Sequence, residues 1–361
     1  MKTRILHIAF QNVAGLPSTF VDVEQKLGFD SLLVTLTPHP HKFENGLCLN
    51  YPFMGESWIR LFKTILGRRE RYKAGLSENE KKEIPPVWRP GNTLERLFFN
   101  LRDQLYKKIV RKSGVLELLD RAHIVVLDGG LGLLRSGEFE VEWAKRNGRL
   151  VSVFYGSDLR SRGVISGIDA HSSLHFTLEF DHLKIHPRAK YIFYPFDPVR
   201  VPPPPYTKGK KVRVGHSPTK RDAKGTSKIL KALSPLVRKG TIEFVLIENL
   251  PYKKAVELQS TCHIFIDQLG ELGYGISGLQ ALCMGIPTIV SLTPEHEAFL
   301  GDHPFVRADE NDLVQKVMML VENESLRREL GEKGAEWVRR VHNPISATKS
   351  IIEEYEKKGW V

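Results

Sequence analysis

The chain has 361 residues, of which 41% are hydrophobic, and its 53 Lys and Arg residues exceed its 42 Asp and Glu residues, giving a net charge of +11. This length and apolar content exclude a largely disordered protein and suffice for two packed domains, while the charge favours acidic partners such as phosphates. The three cysteines, Cys48, Cys262 and Cys283, form no CxxC pair, which excludes a disulfide framework and a cysteine-based zinc site. No apolar run approaches the ~18 residues of a membrane span, and Ile5–Phe10 is too short for a signal peptide. We therefore expect a cytoplasmic protein whose membrane contact, if any, is peripheral.

The first half of the chain alternates apolar runs with helical patterns, which predicts a doubly wound α/β domain. A helical stretch near Ser18–Leu27 separates the first two apolar runs, and Glu138–Asn147, before Gly148, separates two later ones. The apolar runs are Ile5–Phe10, Ser31–Leu36, His123–Leu127 and Leu150–Phe154.

A proline-rich stretch divides the chain, because each proline lacks an N–H group and fixes φ. We predict an N-terminal domain over 1–195 with a basic insert at about 56–112, a linker over 196–211, a second α/β domain over 212–342 and a terminal helix over 343–361. The second domain is predicted from strands at 212–215, 242–247, 264–267 and 288–290 and from helices at 226–237, 252–260, 276–284 and 310–321.

Three residues follow predicted strand ends, where α/β sheets bind ligands. Gly15 comes after the first strand, where a glycine either lets backbone N–H groups approach an anion or only permits the turn. Arg221 and Lys224 lie between the strand Val212–Gly215 and the next helix, where a guanidinium and an ammonium would meet a diphosphate. A solvated basic loop is the alternative for this pair.

The most informative segment is Gly273–Val290, which combines a glycine-punctuated loop with a helix that starts in small residues. Gly275, Ile276 and Ser277 place N–H groups and the positive end of a helix dipole beside the loop. Such a helix start predicts a phosphate site.

The sequence of Gly273–Val290, GYGISGLQALCMGIPTIV, resembles the donor-binding signature of glycosyltransferase family 4. Three further segments are similar to family motifs in order and position. Asn12–Pro17 resembles the N-terminal glycine loop, Tyr155–Arg160 the motif H-G-S-D-x-R, and His216–Thr226 the phosphate-binding region R-x-x-K-G. The resemblance covers nearly the whole chain and implies an α/β GT-B fold, in which two Rossmann-like doubly wound domains face a cleft and a C-terminal helix crosses back to the first domain.

The same resemblance implies a retaining transfer of a sugar from a nucleotide diphosphate to a glycan, polysaccharide or glycolipid acceptor, with no metal or other cofactor. Arg221, Lys224 and the helix start at Gly275 would bind the phosphates, Glu248 would lie at the nucleoside base, and Gln280 at the ribose. The donor-binding positions implied in this way are Gly15, Arg221, Lys224, Glu248, Gly275, Ile276, Ser277 and Gln280.

The chain departs from the family pattern where the family has a histidine and two glutamates. Tyr155 replaces the histidine, and Leu272 and Gln280 replace the glutamates, although an amide carbonyl can still accept a hydrogen bond from a ribose hydroxyl. Glu271, next to Leu272, either supplies the carboxylate from a bulged loop or faces solvent.

Asp158 agrees with the family pattern. Its carboxylate either orients or deprotonates an acceptor hydroxyl, or it caps a helix or pairs with Arg160. The candidate catalytic residues are therefore Tyr155, Asp158 and Glu271.

The basic insert, over Trp58–Lys112, is amphipathic and has two interpretations. In one, apolar residues such as Trp58 and Phe62 enter a membrane interface while Arg60 and Lys63 contact anionic lipid phosphates, so that the protein is peripheral at the inner membrane face and glycosylates a lipid-linked acceptor. In the other, the same apolar residues pack on the first domain.

Two functional hypotheses from different classes follow. The first is a glycosyltransferase, with a sugar-nucleotide epimerase of the same fold as a related enzyme. The second is a catalytically impaired, glycosyltransferase-like protein that binds a nucleotide sugar or glycan without turnover, because Tyr155, Leu272 and Gln280 have replaced the family residues. Nucleic acid is not an expected partner, since the chain has no recognised nucleic-acid motif.

Overall fold

The computed structural model describes residues 2–39, 46–52, 84–198, 201, 211–270 and 273–361. The chain divides into two compact units, one formed by Met1–Pro195 with Ala347–Val361 and the other by Phe196–Ser346. Glu271, Leu272 and the part of the insert that contains Trp58 lie outside the described residues.

The first unit is built on a parallel sheet with the strand order β3-β2-β1-β4-β5-β6-β7. The strands are β1 Arg4–Ala9, β2 Asp30–Thr35, β3 Leu47–Cys48, β4 Ile124–Asp128, β5 Leu150–Phe154, β6 Ser172–Thr177 and β7 Ala189–Tyr191. The helices described before the second unit are α1 Leu16–Lys26, α2 Thr93–Lys112, α3 Val115–Arg121, α4 Glu138–Asn147, α5 Ser166–His171 and α6 His182–Ile185. Every residue of β4 and β5 is buried, as expected of central parallel strands covered on both faces.

The second unit is built on a parallel sheet with the order β12-β11-β10-β8-β9. Its strands are β8 Val212–His216, β9 Ile242–Leu246, β10 Ile264–Gln268, β11 Thr288–Val290 and β12 Val306–Arg307. The helices from Thr226 onward are α7 Thr226–Arg238, α8 Tyr252–Ser260, α9 Ile276–Cys283, α10 Pro294–Leu300, α11 Leu313–Glu322, α12 Glu324–Val341 and α13 Pro344–Lys357. The strand order reverses between β8 and β10, and the carboxyl edge at such a switch point is where α/β sheets bind ligands.

Helix α12 holds the end of α9 by a close approach that only glycine permits. A Cβ atom at Gly331 would lie 2.0 Å from the carbonyl oxygen of Gly285, and one at Gly334 would lie 2.7 Å from the side chain of Leu282. Contacts this short would force the two helices apart, so the glycines fix α9 against α12.

From Ala347 onward, the last helix, α13, belongs to the first unit. Ile351, Ile352 and Tyr355 are buried, and Lys190 of β7 pairs with Glu354. None of the helices in the described ranges combines the length and the apolar composition that crossing a bilayer requires.

The structure confirms the predicted alternation of strands and helices and departs from it locally. The helix predicted from Glu310 begins at Leu313, because the carboxylate of Asp309 accepts the N–H groups of Asn311 and Asp312 and holds them in a turn. Strand β6 was not predicted, because its polar residues interrupt the apolar pattern of a buried strand. Ser172 is nevertheless buried and shares a hydrogen bond with Ser152 at 2.9 Å.

Candidate functional site

The candidate site of the second unit lies at the carboxyl ends of β8, β9 and β10, around the switch point of the sheet. His216, the last residue of β8, is fully buried, with its Nδ1 2.8 Å from the carbonyl oxygen of Ile266 and its Nε2 2.9 Å from Oγ1 of Thr226. Burial lowers the pKa of His216 to about 4, so the ring is neutral and Nδ1 donates while Nε2 accepts. His216 therefore ties β8 to β10 and to the start of α7, which is a structural role.

The loop between β8 and α7 is a series of turns that ends at Gly225. Gly225 has a φ of +65° at the N-cap of α7, a conformation that favours glycine. The N–H of Leu269 donates to the carbonyl of Lys224 at 3.2 Å, so this loop is docked on the segment that follows β10. Lys224 is thereby held at the switch point.

Asp267, near the end of β10, connects this loop to helix α9. Its side chain is fully buried, with Oδ1 accepting from Nζ of Lys224 at 2.6 Å and Oδ2 accepting the N–H of Gly275 at 2.7 Å. A Cβ at Gly278 would lie 3.0 Å from Oδ2 of Asp267, so glycine there makes room for the carboxylate. The sequence analysis missed Asp267, although a carboxylate that closes an apolar strand is a recognisable signal.

The glycine loop that leads into α9 is held at three successive residues. The side-chain amide of Gln268 donates to the carbonyl of Gly273. Gly273 has a φ of +79°, and a Cβ at this residue would lie 2.6 Å from the ring of His296. The Tyr274 hydroxyl lies 3.2 Å from Nε2 of buried His342. Together with the bond from Gly275 to Asp267, these contacts fix the direction in which α9 begins.

The start of α9 has the features of an anion site. Gly275, its N-cap, has no side chain to cap the helix, so the N–H groups of Ile276, Ser277 and Gly278 have no intrahelical acceptor. The ammonium of Lys224 lies beside them, 3.3 Å from where a Cβ of Gly275 would be. Backbone donors, the positive end of the helix dipole and an ammonium thus meet at one point.

Arg221 and Glu248, both expected to bind the donor, are paired with each other. The guanidinium forms two hydrogen bonds with the carboxylate, from Nε to Oε2 at 3.0 Å and from NH2 to Oε1 at 2.5 Å. The hydrogen bond and charge of each partner raise the pKa of Arg221 and lower that of Glu248. Because the Arg221 side chain is 55% exposed, the pair is accessible to solvent.

Gln280 lies one turn after Ile276, the first residue of α9, and is buried. Its amide donates from Nε2 to the hydroxyl of Tyr252 at 2.7 Å, which links α9 to the start of α8. Binding of ribose by its carbonyl oxygen stays a prediction.

In the first unit, the start of α1 satisfies its own donors. Gly15 adopts a φ of +72° as the N-cap, and its N–H donates to Asn12, whose side chain accepts the N–H of Ser18 at 3.2 Å. Leu16 donates to Val13, and Pro17 has no N–H. Gly15 therefore permits the turn, which is the second of the two roles that the sequence allowed for it. Contact between Gly15 and the donor stays a prediction.

Asp158 caps the turn that follows β5. Its carboxylate accepts three backbone N–H groups, those of Tyr155, Gly156 and Leu159, each at 2.8 Å. This is the capping role that the sequence allowed as an alternative to catalysis. Arg160 pairs with Glu179 at 2.8 Å and with Asp181 rather than with Asp158.

The hydroxyl of Tyr155 belongs to a buried network beneath this turn. It donates to Oδ1 of Asp128, and Oδ2 of Asp128 lies 2.9 Å from Nδ1 of His7, whose Nε2 lies 3.1 Å from Oε2 of Glu24. Burial raises the pKa of Tyr155 well above its ordinary value, as do the charges on Asp128 and Asp158. Tyr155 is therefore a hydrogen-bond donor rather than a base near neutral pH.

His7 carries a positive charge inside this network. Burial opposes the charge, but the carboxylates of Glu24 and Asp128 outweigh burial and raise the pKa of His7 to about 10. Both ring nitrogens face carboxylate oxygens, so both are protonated donors. The sequence analysis missed this network, because its members lie on β1, α1, β4 and the turn after β5.

Comparison with known proteins establishes the fold. No family model and no curated protein sequence matches the chain. Sucrose-phosphate synthase from Thermosynechococcus elongatus matches 99% of each chain with a TM-score of 0.60 at 11% identity. HepE from Anabaena in complex with UDP-glucose matches 98% of this chain and 99% of its own, with a TM-score of 0.56 at 10% identity.

A TarM variant from S. aureus, in complex with Fondaparinux, alpha-GlcNAc-glycerol and UDP, matches 99% of each chain with a TM-score of 0.55 at 12% identity. At these identities the similarity is one of fold. The expected GT-B fold is confirmed, whereas membership of glycosyltransferase family 4 stays a prediction.

The charge on His7 makes stability depend on pH. Because its pKa in the folded protein, about 10, exceeds the value of 6.5 for a free side chain, its contribution is complete below pH 6.5 and is lost as the pH approaches 10. Each unit of difference corresponds to about 1.4 kcal/mol. We expect the midpoint of thermal unfolding of the wild type to fall by several degrees over this range, more steeply than that of His7→Gln. Equal slopes for the two proteins would contradict a charged His7.

Proposed function

We propose that this protein is a glycosyltransferase that transfers a sugar from a nucleotide diphosphate donor to a glycan, polysaccharide or glycolipid acceptor. The observation that carries the proposal is the start of helix α9, where backbone N–H groups and the ammonium of Lys224 converge at the switch point of a sheet in a GT-B fold. Two proteins of similar fold have been solved with UDP-glucose or UDP bound, which supports a donor of this class.

The charged side chains of the site neutralise one another in pairs before the donor binds. Lys224 faces Asp267 and Arg221 faces Glu248, so the remaining positive charge is the helix end, about half an elementary charge. A diphosphate therefore needs one of these pairs to change partners. The exposed Arg221–Glu248 pair is the one that contributes little to stability and can open.

Lys224 keeps its place in this scheme. An ammonium has three N–H donors, and Asp267 accepts one of them, so two remain for phosphate oxygens. Arg221 exchanges Glu248 for the diphosphate and binds it in bidentate fashion. Glu248 is then free to contact the nucleoside. Lys224, Arg221 and the helix end together bind the diphosphate, so we propose that the reaction needs no metal ion at this position.

The finer features of the reaction are proposals that rest on the sequence resemblance. They are a retaining outcome, a hexosyl donor and an acceptor bound on the first unit near Tyr155 and Asp158. In the proposed arrangement Tyr155 is not the base, since its raised pKa keeps the hydroxyl protonated and its O–H is donated to Asp128.

A second candidate function is nucleotide-sugar or glycan binding without transfer. The observation that favours it is the full use of Asp158 as a cap for three backbone N–H groups, which leaves this carboxylate committed to the turn. Transfer and binding differ in one measurable result. The enzyme releases nucleoside diphosphate from a nucleotide sugar when acceptor is present, and the binding protein does not.

We further propose a cytoplasmic protein that is peripheral at the inner membrane face, where the insert over Trp58–Lys112 contacts anionic lipids. Within its described residues, 84–112, helix α2 exposes a row of leucines at helical spacing, with Leu94 72%, Leu97 55% and Leu101 64% exposed. Lys108 and Lys112 continue the same face with positive charge, the composition of a helix that lies in a membrane interface.

Removal of Lys224 tests the donor site. We expect Lys224→Ala to lower the affinity for a nucleoside diphosphate by roughly 10- to 100-fold, because a charge-assisted hydrogen bond is lost. Arg221→Ala should weaken binding as well, without disturbing a buried group. The matched control is Lys228→Ala, which removes an exposed lysine that pairs with Glu310 and should leave the affinity unchanged. Calorimetric titration gives the affinities, and equal values for Lys224→Ala, Arg221→Ala and the wild type would refute the site.

Vesicle binding tests the membrane contact. The protein should sediment with vesicles of phosphatidylcholine and phosphatidylglycerol and not with phosphatidylcholine alone, and the double variant Leu97→Ser with Leu101→Ser should bind several-fold more weakly. Asn100→Ser changes an exposed polar residue of α2 outside the leucine row and serves as the control. Equal binding by the leucine variant and the control would exclude this face as the contact.

A further inference from the structure

A cluster of two histidines and one aspartate lies in the first unit, outside the donor site. Asp169 of α5, His175 of β6 and His186, the residue after α6, bring one ligand atom each to within 4.8 Å of one another. The histidine side chains are 3% and 0% exposed, and that of Asp169 is 12% exposed. The three residues come from separate elements and converge on a buried point.

The contacts inside the cluster leave hydrogen-bonding capacity unused. Oδ1 of Asp169 lies 2.8 Å from Nε2 of His186 and 3.0 Å from Nε2 of His175. The pair with His186 is a hydrogen bond, whereas Nε2 of His175 is not aligned for one and has no other hydrogen-bond partner among the described residues. A buried imidazole nitrogen that lacks a well-aligned hydrogen bond is costly unless a ligand binds it.

Arg188 sets the orientation of the carboxylate. It pairs with Oδ2 of Asp169 and reaches the carbonyl oxygen of the same residue at 3.4 Å. Oδ1 is therefore the oxygen left for the two imidazoles. A charged partner that holds the second oxygen of a ligating carboxylate is a common support for metal sites.

From this arrangement we infer that Asp169, His175 and His186 form a zinc site, with water as the fourth ligand. Two imidazole nitrogens and a carboxylate oxygen are donors that Zn²⁺ accepts. A tetrahedral Zn²⁺ with bonds of about 2.0–2.1 Å holds its ligand atoms about 3.3 Å apart. The two distances from Oδ1 are within about half an ångström of that spacing, and all three ligand atoms lie within 4.8 Å of one another.

The inference goes beyond the proposed function and does not depend on it. No metal was expected from the sequence, because the cysteines form no CxxC pair and the resemblance implies a donor diphosphate bound without metal; neither ground concerns this cluster. A metal here would join α5, β6 and the segment between α6 and β7, and so would stabilise the outer strands of the first sheet.

Zinc titration of chelator-treated, dialysed protein tests the site. We expect one Zn²⁺ per chain, a thermal midpoint raised by several degrees, and tetrahedral d–d absorption bands when Co²⁺ is used instead. His175→Gln and His186→Gln should weaken Zn²⁺ binding by more than about 10- to 100-fold, the loss that changes in outer-shell partners alone produce. His171→Gln, which alters a half-buried histidine of α5 outside the cluster, should bind like the wild type.

Three results would overturn the inference: absence of stoichiometric Zn²⁺ binding by the wild type, octahedral Co²⁺ bands, or undiminished binding by the two cluster variants. If those variants do not fold, the Co²⁺ spectrum and the thermal midpoint of the wild type decide the question alone. Failure of this test would leave nucleotide binding untouched, since the readouts are separate.

Discussion

The candidate donor site depends on one buried carboxylate. Asp267 holds the ammonium of Lys224 with one oxygen and the N–H of Gly275 with the other, so the basic loop after β8 and the start of α9 are fixed relative to each other. Because the carboxylate is buried, releasing either partner would leave a charge or a polar group unpaired inside the protein. Gly278 and Gly273 favour the same arrangement, because the first leaves room for the carboxylate and the second leaves room for His296.

The two helix starts that the sequence presented as anion sites differ for a physical reason. At α1, Asn12 and Val13 accept the N–H groups of the first turn, and Pro17 supplies none. At α9, the preceding glycine has no side chain to cap the helix, and a lysine lies beside the N–H groups. A glycine before a helix therefore indicates an anion site only where no neighbouring side chain or turn satisfies the donors.

The sequence predicted what depends on local pattern. The alternation of apolar runs determined the α/β architecture, and the glycine start at Gly275 marked α9. The sequence did not predict which groups meet across the sheet, because these partners are far apart along the chain. Asp267 is 43 residues from Lys224, and Asp128 is 121 residues from His7. Strand β6 escaped prediction because its buried serine is paired with a neighbouring strand, a compensation that only the fold reveals. The spacing of Asp169, His175 and His186 matches no motif, and these residues likewise come together only in the folded chain.

We propose that the second unit recognises the diphosphate of a nucleotide through α9 and Lys224. The most direct measurement is calorimetric affinity for a nucleoside, its monophosphate and its diphosphate, compared for each of the common bases. For one base we expect the affinity to rise about tenfold or more with each phosphate, as charge-assisted hydrogen bonds are added. Equal affinity for nucleoside and diphosphate, or no binding of any nucleotide, would contradict it.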